Sequence, residues 1–196
     1  GAEIVVEHGV VLGEIRGLEV ARVRVGDDGT PVLEVGVGRF DQEASAMMHG
    51  HLPTEEALAR AISLVRSHRH PGAAPHPVNR LAHDRWLRAQ VIENPSLVGL
   101  DKLEPVAPTE PRANLKDPHP AAAVGHDANG ATVLVVCSAG IDLDLVPVAA
   151  DLAAREHADR VVLVTPSRDQ VPTTRSLVAR LAVPAELVAV DGDWPV

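Results

Sequence analysis

The chain reads as an α/β protein in two parts, on three observations. Residues 131–190 alternate apolar, β-rich runs with helix-periodic ones in the order strand, helix, strand, helix, strand, the pattern of a parallel sheet with helical crossovers. The first forty residues are short Val-rich runs punctuated by glycine, the pattern of antiparallel hairpins. Between them, Pro105 to Pro120 holds five prolines and no periodicity, which reads as an extended connector. The expected organisation is an α+β domain over 1–100 with an antiparallel hairpin sheet and two helices, a proline-rich connector over 101–128, and a three-stranded parallel βαβαβ unit over 129–196.

In the first part, Val5, Val6, Val10, Val11, Leu12 and Ile15 form apolar runs broken by Gly9 and Gly13. The run Leu18 to Val25 precedes Asp27-Asp28-Gly29 and then Val32 to Val37, a hairpin signal. A three-residue turn with Gly29 left-handed sets Val23 opposite Leu33 and Arg22 opposite Glu34, apolar residues on one face and a charge pair on the other. Between Leu18-Val20 and Val23-Val25 the apolar phase slips by one residue, which predicts a bulge near Ala21. Thr54 is placed to cap a helix with Glu55 and Glu56 in its first turn and Leu58, Ile62 and Val65 along one face, ending before Pro71-Gly72. A second helix is expected from Pro77 to Glu93, ahead of Pro95, with Asp84 four residues from both Arg80 and Arg88.

Beyond the connector, a turn at His126 to Gly130 leads into a strand over Thr132 to Val136. A helix over Leu143 to His157, a strand over Val161 to Thr165, a helix over Thr173 to Leu181 and a strand over Leu187 to Val190 complete the unit. Pro147 falls in the first turn of its helix, where a missing N–H is tolerated.

Composition narrows the function. Hydrophobic residues make up 45% and charged residues 23%, so the chain can bury a core. With one Phe, two Trp and no Tyr, that core must be aliphatic, and aromatic platforms for bases or sugars are nearly absent. A net charge of -9 opposes general attraction to nucleic acid or anionic lipid. Cys137 is the sole cysteine, which excludes an internal disulfide and leaves a soluble, cytoplasmic protein as the default. No apolar run is long enough for a membrane helix, so no membrane partner is expected. The chain begins Gly1-Ala2 without methionine, so a piece of something longer is among the expectations, as is a homo-oligomer.

A parallel sheet binds ligands beyond the carboxyl ends of its strands, and here that rim carries Cys137, Ser138, Gly140, Asp142, Thr165, Ser167 and Asp191. The candidate ligand-binding residues are Ser138, Gly140, Asp142 and Asp144, for a small polar or metal-associated ligand. Asp142 and Asp144 also suit helix capping, and either one, with Ser138 and Asp191, is a candidate for Mg²⁺. No dinucleotide fingerprint or P-loop is present, so no cofactor, metal or catalytic residue is assigned.

Val136-Cys137-Ser138-Ala139-Gly140-Ile141 resembles part of the cysteine phosphatase signature, over six residues. The arginine expected six positions after the cysteine is Leu143, and Asp142 and Asp144 would repel a phosphate dianion. Ser138 also lacks the complete Gly-x-Ser-x-Gly elbow of a serine hydrolase.

Residues 60–88 carry six arginines against one acid, Asp84. Arg66, Arg69, Arg80, Arg85 and Arg88 are therefore the candidate anion-binding set, for nucleic acid or another acidic partner. Their other reading is pairing with acids such as Glu14, Glu19, Asp41 and Glu43. Six of the ten histidines lie between His49 and His83, including His49-Gly50-His51 and His68-Arg69-His70, a spacing open to zinc only on a strand. Glu14, Glu19, Glu34 and Asp41 raise the alternative of a metal-dependent nuclease-like hydrolase. Such enzymes place a lysine two residues after a carboxylate, whereas Glu34 is followed by Val35-Gly36 and the only lysines are Lys102 and Lys116.

Overall fold

A computed structural model describes residues 1–37 and 53–192. Asp41, Glu43, His49 and His51 lie outside the described residues. The protein has mixed α and β content, with a four-stranded antiparallel sheet and a five-stranded mixed sheet. It divides into two compact units between Leu81 and Ala82.

The first unit is built on β1 (Glu3–Glu7), β2 (Val10–Ile15), β3 (Leu18–Val25) and β4 (Pro31–Val35), paired in chain order. His8-Gly9 and Arg16-Gly17 form its two-residue turns, with positive φ at all four residues, the requirement of a type I′ turn whose second residue is glycine. The β3–β4 register sets Val23 opposite Leu33 and Arg22 opposite Glu34, and Gly29 has φ +80°. Gly13 pairs with Ala21 but Glu14 with Glu19, leaving Val20 as an extra residue, so the bulge lies beside Ala21.

The charge pairing differs from expectation. Arg22 donates twice to Glu19, at 2.6 and 2.8 Å, while Glu34 accepts from Arg24 at 3.0 Å. The bulge explains the exchange, since it brings Glu19 onto the face that Arg22 occupies.

Helix α1 (Thr54–His68) packs on this sheet and buries Val65 completely. Thr54 is its first helical residue rather than its cap, because the Pro53 carbonyl already accepts from Glu56 and Ala57.

The expected second helix is split. Pro77–Arg80 is a single 3₁₀ turn, Leu81 is extended, Ala82 has φ +46°, and α2 runs only over His83–Glu93. The Ala82 N–H donates to the Leu115 carbonyl instead of to a helical acceptor, which ends one element and starts the next. Helix α2 belongs to the second unit, where Trp86, Leu87 and Val91 pack with Val133, Val135, Val162 and Val164.

That unit's sheet has the order β5 (Glu104–Val106), β6 (Ala121–His126), β7 (Thr132–Cys137), β8 (Arg160–Thr165), β9 (Ala185–Ala189). The last three strands are parallel, joined by α3 (Leu145–Arg155) and α4 (Pro172–Val178), as expected. Strands β5 and β6 are additions to that unit, antiparallel, and drawn from the segment expected to be connector. Odd residues of β7 and even residues of β8 face α2, while Leu134, Val136, Val161 and Leu163 face Leu145, Val146, Ala149 and Leu152 of α3, and Val178 of α4 joins the same layer. The sheet is therefore sandwiched between α2 on one face and α3 with α4 on the other. Among the described residues no helix is long and apolar enough to cross a membrane.

Candidate functional site

The site is built where β7 and β8 end. They are adjacent and parallel, with Cys137 opposite Val164, so the turn after Cys137 and the turn after Thr165 leave the sheet side by side. Continuing the alternation, Ser138 follows Leu134 and Val136 onto the α3 face, and Thr165 follows Val161 and Leu163 onto the same face. Both side chains are buried, at 0% and 2% exposure, and neither hydroxyl has a hydrogen-bond partner. The Ser138 N–H is spent on the Val164 carbonyl at 3.0 Å.

A third group of the same kind lies in the turn after β8. The Gln170 Oε1 accepts from Arg175 at 2.9 Å, which orients the amide and sends Nε2 into the interior, where it is buried and without a partner. Thus three polar atoms that burial normally obliges to be hydrogen-bonded occur on two neighbouring strand-end turns.

The main chain of the first turn is already occupied. The Ala139 N–H donates to Asp84 at 2.9 Å and the Gly140 N–H to Asp169 at 2.8 Å. Gly140 has φ +108°, which only glycine adopts readily, and this aims its N–H at the neighbouring turn. Asp84 is 2% exposed and is a hub: it also accepts from the His119 N–H at 3.0 Å and meets Arg112 at 3.4 Å. The break at Leu81 and Ala82 puts Arg80 outside the helix, so the expected helical spacing of Arg80 from Asp84 is not formed.

Asp142 accepts from the Asp144 N–H at 2.9 Å, so Asp142 shapes the loop, while Asp144 occupies the cap position of α3 with no side-chain cap bond. Burial, and then the neighbouring Asp84 and Asp144 carboxylates, raise the Asp142 pKa above the usual value, against the Asp144 N–H that lowers it. Burial, then Arg112, holds His119 below the ordinary histidine range. Asp191 does not join Ser138: it takes the Ser167 hydroxyl at 2.5 Å and N–H at 2.8 Å, which hold its pKa down.

Cys137 lies in the α2-side core, fully buried, and desolvation pushes its thiol far up, so the thiolate that the phosphatase-like loop needs does not form. Among the described residues no group of three or more His, Cys, Asp or Glu side chains could hold a metal ion. His68 stacks on His76, rings 3.8 Å apart, and His70 meets the Pro71 carbonyl.

The five candidate arginines fall into both units. Arg66, Arg69 and Arg80 belong to the first, Arg85 and Arg88 to the second. Arg69 is fully buried and donates to the carbonyls of Arg16, Val78 and Leu81 at 2.8, 3.2 and 2.7 Å. Arg85 and Arg88 are buried, Arg66 donates to the Gly1 carbonyl, and Arg80 is exposed. Glu14 and Glu19 are also buried, Glu19 against Arg22.

No protein-family model matches the chain, and no curated protein matches it. Among solved structures, EndoMS in its apo form is similar at 16% sequence identity and a TM-score of 0.37, over 55% of this chain and 47% of that one. The match spans about half the length of that structure, and a likeness at this level carries no argument about function.

Proposed function

We propose that the second unit binds a small polar ligand at the carboxyl-terminal rim of β7 and β8. The reading rests on one observation: Ser138 Oγ, Thr165 Oγ1 and Gln170 Nε2 are buried without hydrogen bonds on adjacent strand-end turns. A buried polar group without a partner costs about 1–3 kcal/mol. Three at one rim are better explained as ligand contacts than as unrelated defects. Ser138, Thr165 and Gln170 are the binding residues of this reading, and Gly140, Asp142 and Asp144 shape the loop around them.

No reaction is assigned. The arginine-rich segment draws less support as a binding surface, because Arg69, Arg85 and Arg88 are buried.

Acetamide, which carries one carbonyl acceptor and an N–H donor, is a suitable probe in a ¹⁵N–¹H correlation titration. Saturable shifts clustered on the amides of Ser138, Thr165 and Gln170, lost in Ser138→Ala, are expected. Shifts without saturation, or clustered elsewhere, would refute the assignment.

A further inference from the structure

We infer that this rim excludes phosphate-bearing ligands and accepts uncharged ones, with Asp84 and Asp169 as the residues that set this selectivity. The inference rests on the ligand reading above for its occupant, and on separate contacts for its charge. Strand-end turns usually hold an anion through successive main-chain N–H groups. Here the two N–H groups in that position, on Ala139 and Gly140, are each taken by a carboxylate of the chain itself, at 2.9 and 2.8 Å. A phosphate oxygen would have to displace a carboxylate at each.

The two carboxylates are anchored differently. Asp84 is held on all sides by Ala139, His119 and Arg112, and is 2% exposed, so it is a fixed occupant. Asp169 makes one hydrogen bond to the Gly140 N–H and a looser ion pair with Arg168 at 3.8 Å. Asp142 and Asp144 add charge of the same sign on the loop that follows. A phosphate reaching the Ala139 and Gly140 N–H groups would meet repulsion and find both donors taken.

The contacts of the ligand reading are the Ser138 and Thr165 hydroxyls and the Gln170 amide N–H. Hydroxyls donate or accept, and the Gln170 Nε2 only donates. The complementary molecule therefore presents at least one uncharged oxygen acceptor, as a carbonyl or hydroxyl, and carries no phosphate or carboxylate. Asp84 and Asp169 touch main chain rather than ligand, so they are positioning residues.

The test is a titration with inorganic phosphate and, separately, with acetamide, following the Gly140 amide and the amides of Ser138, Thr165 and Gln170 in the full chain. In the wild type, acetamide shifts the latter group and phosphate leaves Gly140 unmoved. In Asp169→Ala the freed Gly140 N–H shifts saturably with phosphate, with an apparent affinity at least about tenfold above the wild type. Saturable movement of Gly140 by phosphate in the wild type overturns the inference while leaving the acetamide result standing. So does an Asp169→Ala spectrum that retains the native dispersion and ignores phosphate. Should Asp169→Ala lose its dispersed spectrum, the wild-type titration still decides. Failure of acetamide, by contrast, removes the ligand reading itself.

Discussion

Thr165→Val separates a ligand contact from an ordinary core residue, because the two make opposite predictions for stability. Valine is nearly isosteric with threonine, so the change exchanges the hydroxyl for a methyl at a position 2% exposed, on a strand that favours β-branched residues. A buried hydroxyl without a partner destabilises the fold by about 1–3 kcal/mol, and the methyl that replaces it gains about 0.8 kcal/mol of apolar burial. Part of the first figure overlaps the second, so a net stabilisation of about 1–3 kcal/mol is expected. With a urea m-value of about 1–3 kcal/mol/M, the unfolding midpoint moves up by about 1 M. Trp86, fully buried on the α2 side of the same sheet, supplies the fluorescence signal. The stabilised variant should at the same time lose the acetamide response, the trade of stability against binding expected at a functional site. A midpoint lowered by the substitution would mean that the hydroxyl is hydrogen-bonded in the unliganded fold, which would refute Thr165 as a ligand contact.

The remaining expectations concern the surroundings of the rim and the first unit. Gly125→Ala should destabilise by about 3 kcal/mol or prevent folding, because a Cβ there would overlap the backbone carbonyl of Lys102 and press on Leu103 and Leu100; thermal unfolding measures it. Asp142→Asn should be more stable than wild type at pH 7 by less than about 1 kcal/mol, since the half-exposed site is partly screened. Its raised pKa means that the fold prefers the protonated acid, so the wild type's deficit is present above the folded pKa and vanishes below the unfolded value near 3.9. Urea titrations at pH 7 and pH 3 should therefore differ between the two proteins only at the higher pH. Arg69→Ala should cost about 3–5 kcal/mol in the first unit, because three carbonyls lose a buried charged donor, and far-UV circular dichroism would follow it.

Where local signals were strong, the fold could be read directly. Asp27-Asp28-Gly29 supplies the left-handed glycine that its turn needs, so the register of β3 on β4 followed from short-range chemistry. The β7-α3-β8-α4-β9 order was equally legible, because Val-rich strands alternate there with amphipathic helices. Strand β6 was not. Ala121, Ala122 and Ala123 have weak strand preference, and the strand exists because Leu100, Leu103 and the neighbouring β7 bury it, with Gly125 allowing the Lys102 backbone to come close. The split of 77–93 was hidden for the same reason. Nothing near Leu81 breaks a helix, and the Ala82 N–H at the break is taken by a carbonyl 33 positions further on, at Leu115.

The site shows the same division between local and distant causes. Topology alone placed Ser138, Thr165 and the acidic loop at one rim, but which polar atoms keep free valence depends on partners remote in sequence. Asp84 looked like a helix-surface charge, since four-residue spacing to arginines is the commonest reason for such a residue. It instead closes the Ala139 N–H, 55 residues on. Asp169 reaches Gly140 across 29 residues, and Asp191 is drawn off to Ser167 across 24. Each of these contacts removes a group from the pool a ligand could use, whereas Ser138 Oγ, Thr165 Oγ1 and Gln170 Nε2 are buried without a hydrogen-bond partner. The charge pattern of residues 60–88 is subject to the converse logic. An arginine cluster in sequence becomes an anion surface only if its guanidiniums stay in water, and Arg69 spends its donors on three carbonyls inside the first unit. Binding capacity at either place is thus set by what the fold leaves unsatisfied, a quantity that no local window of sequence contains.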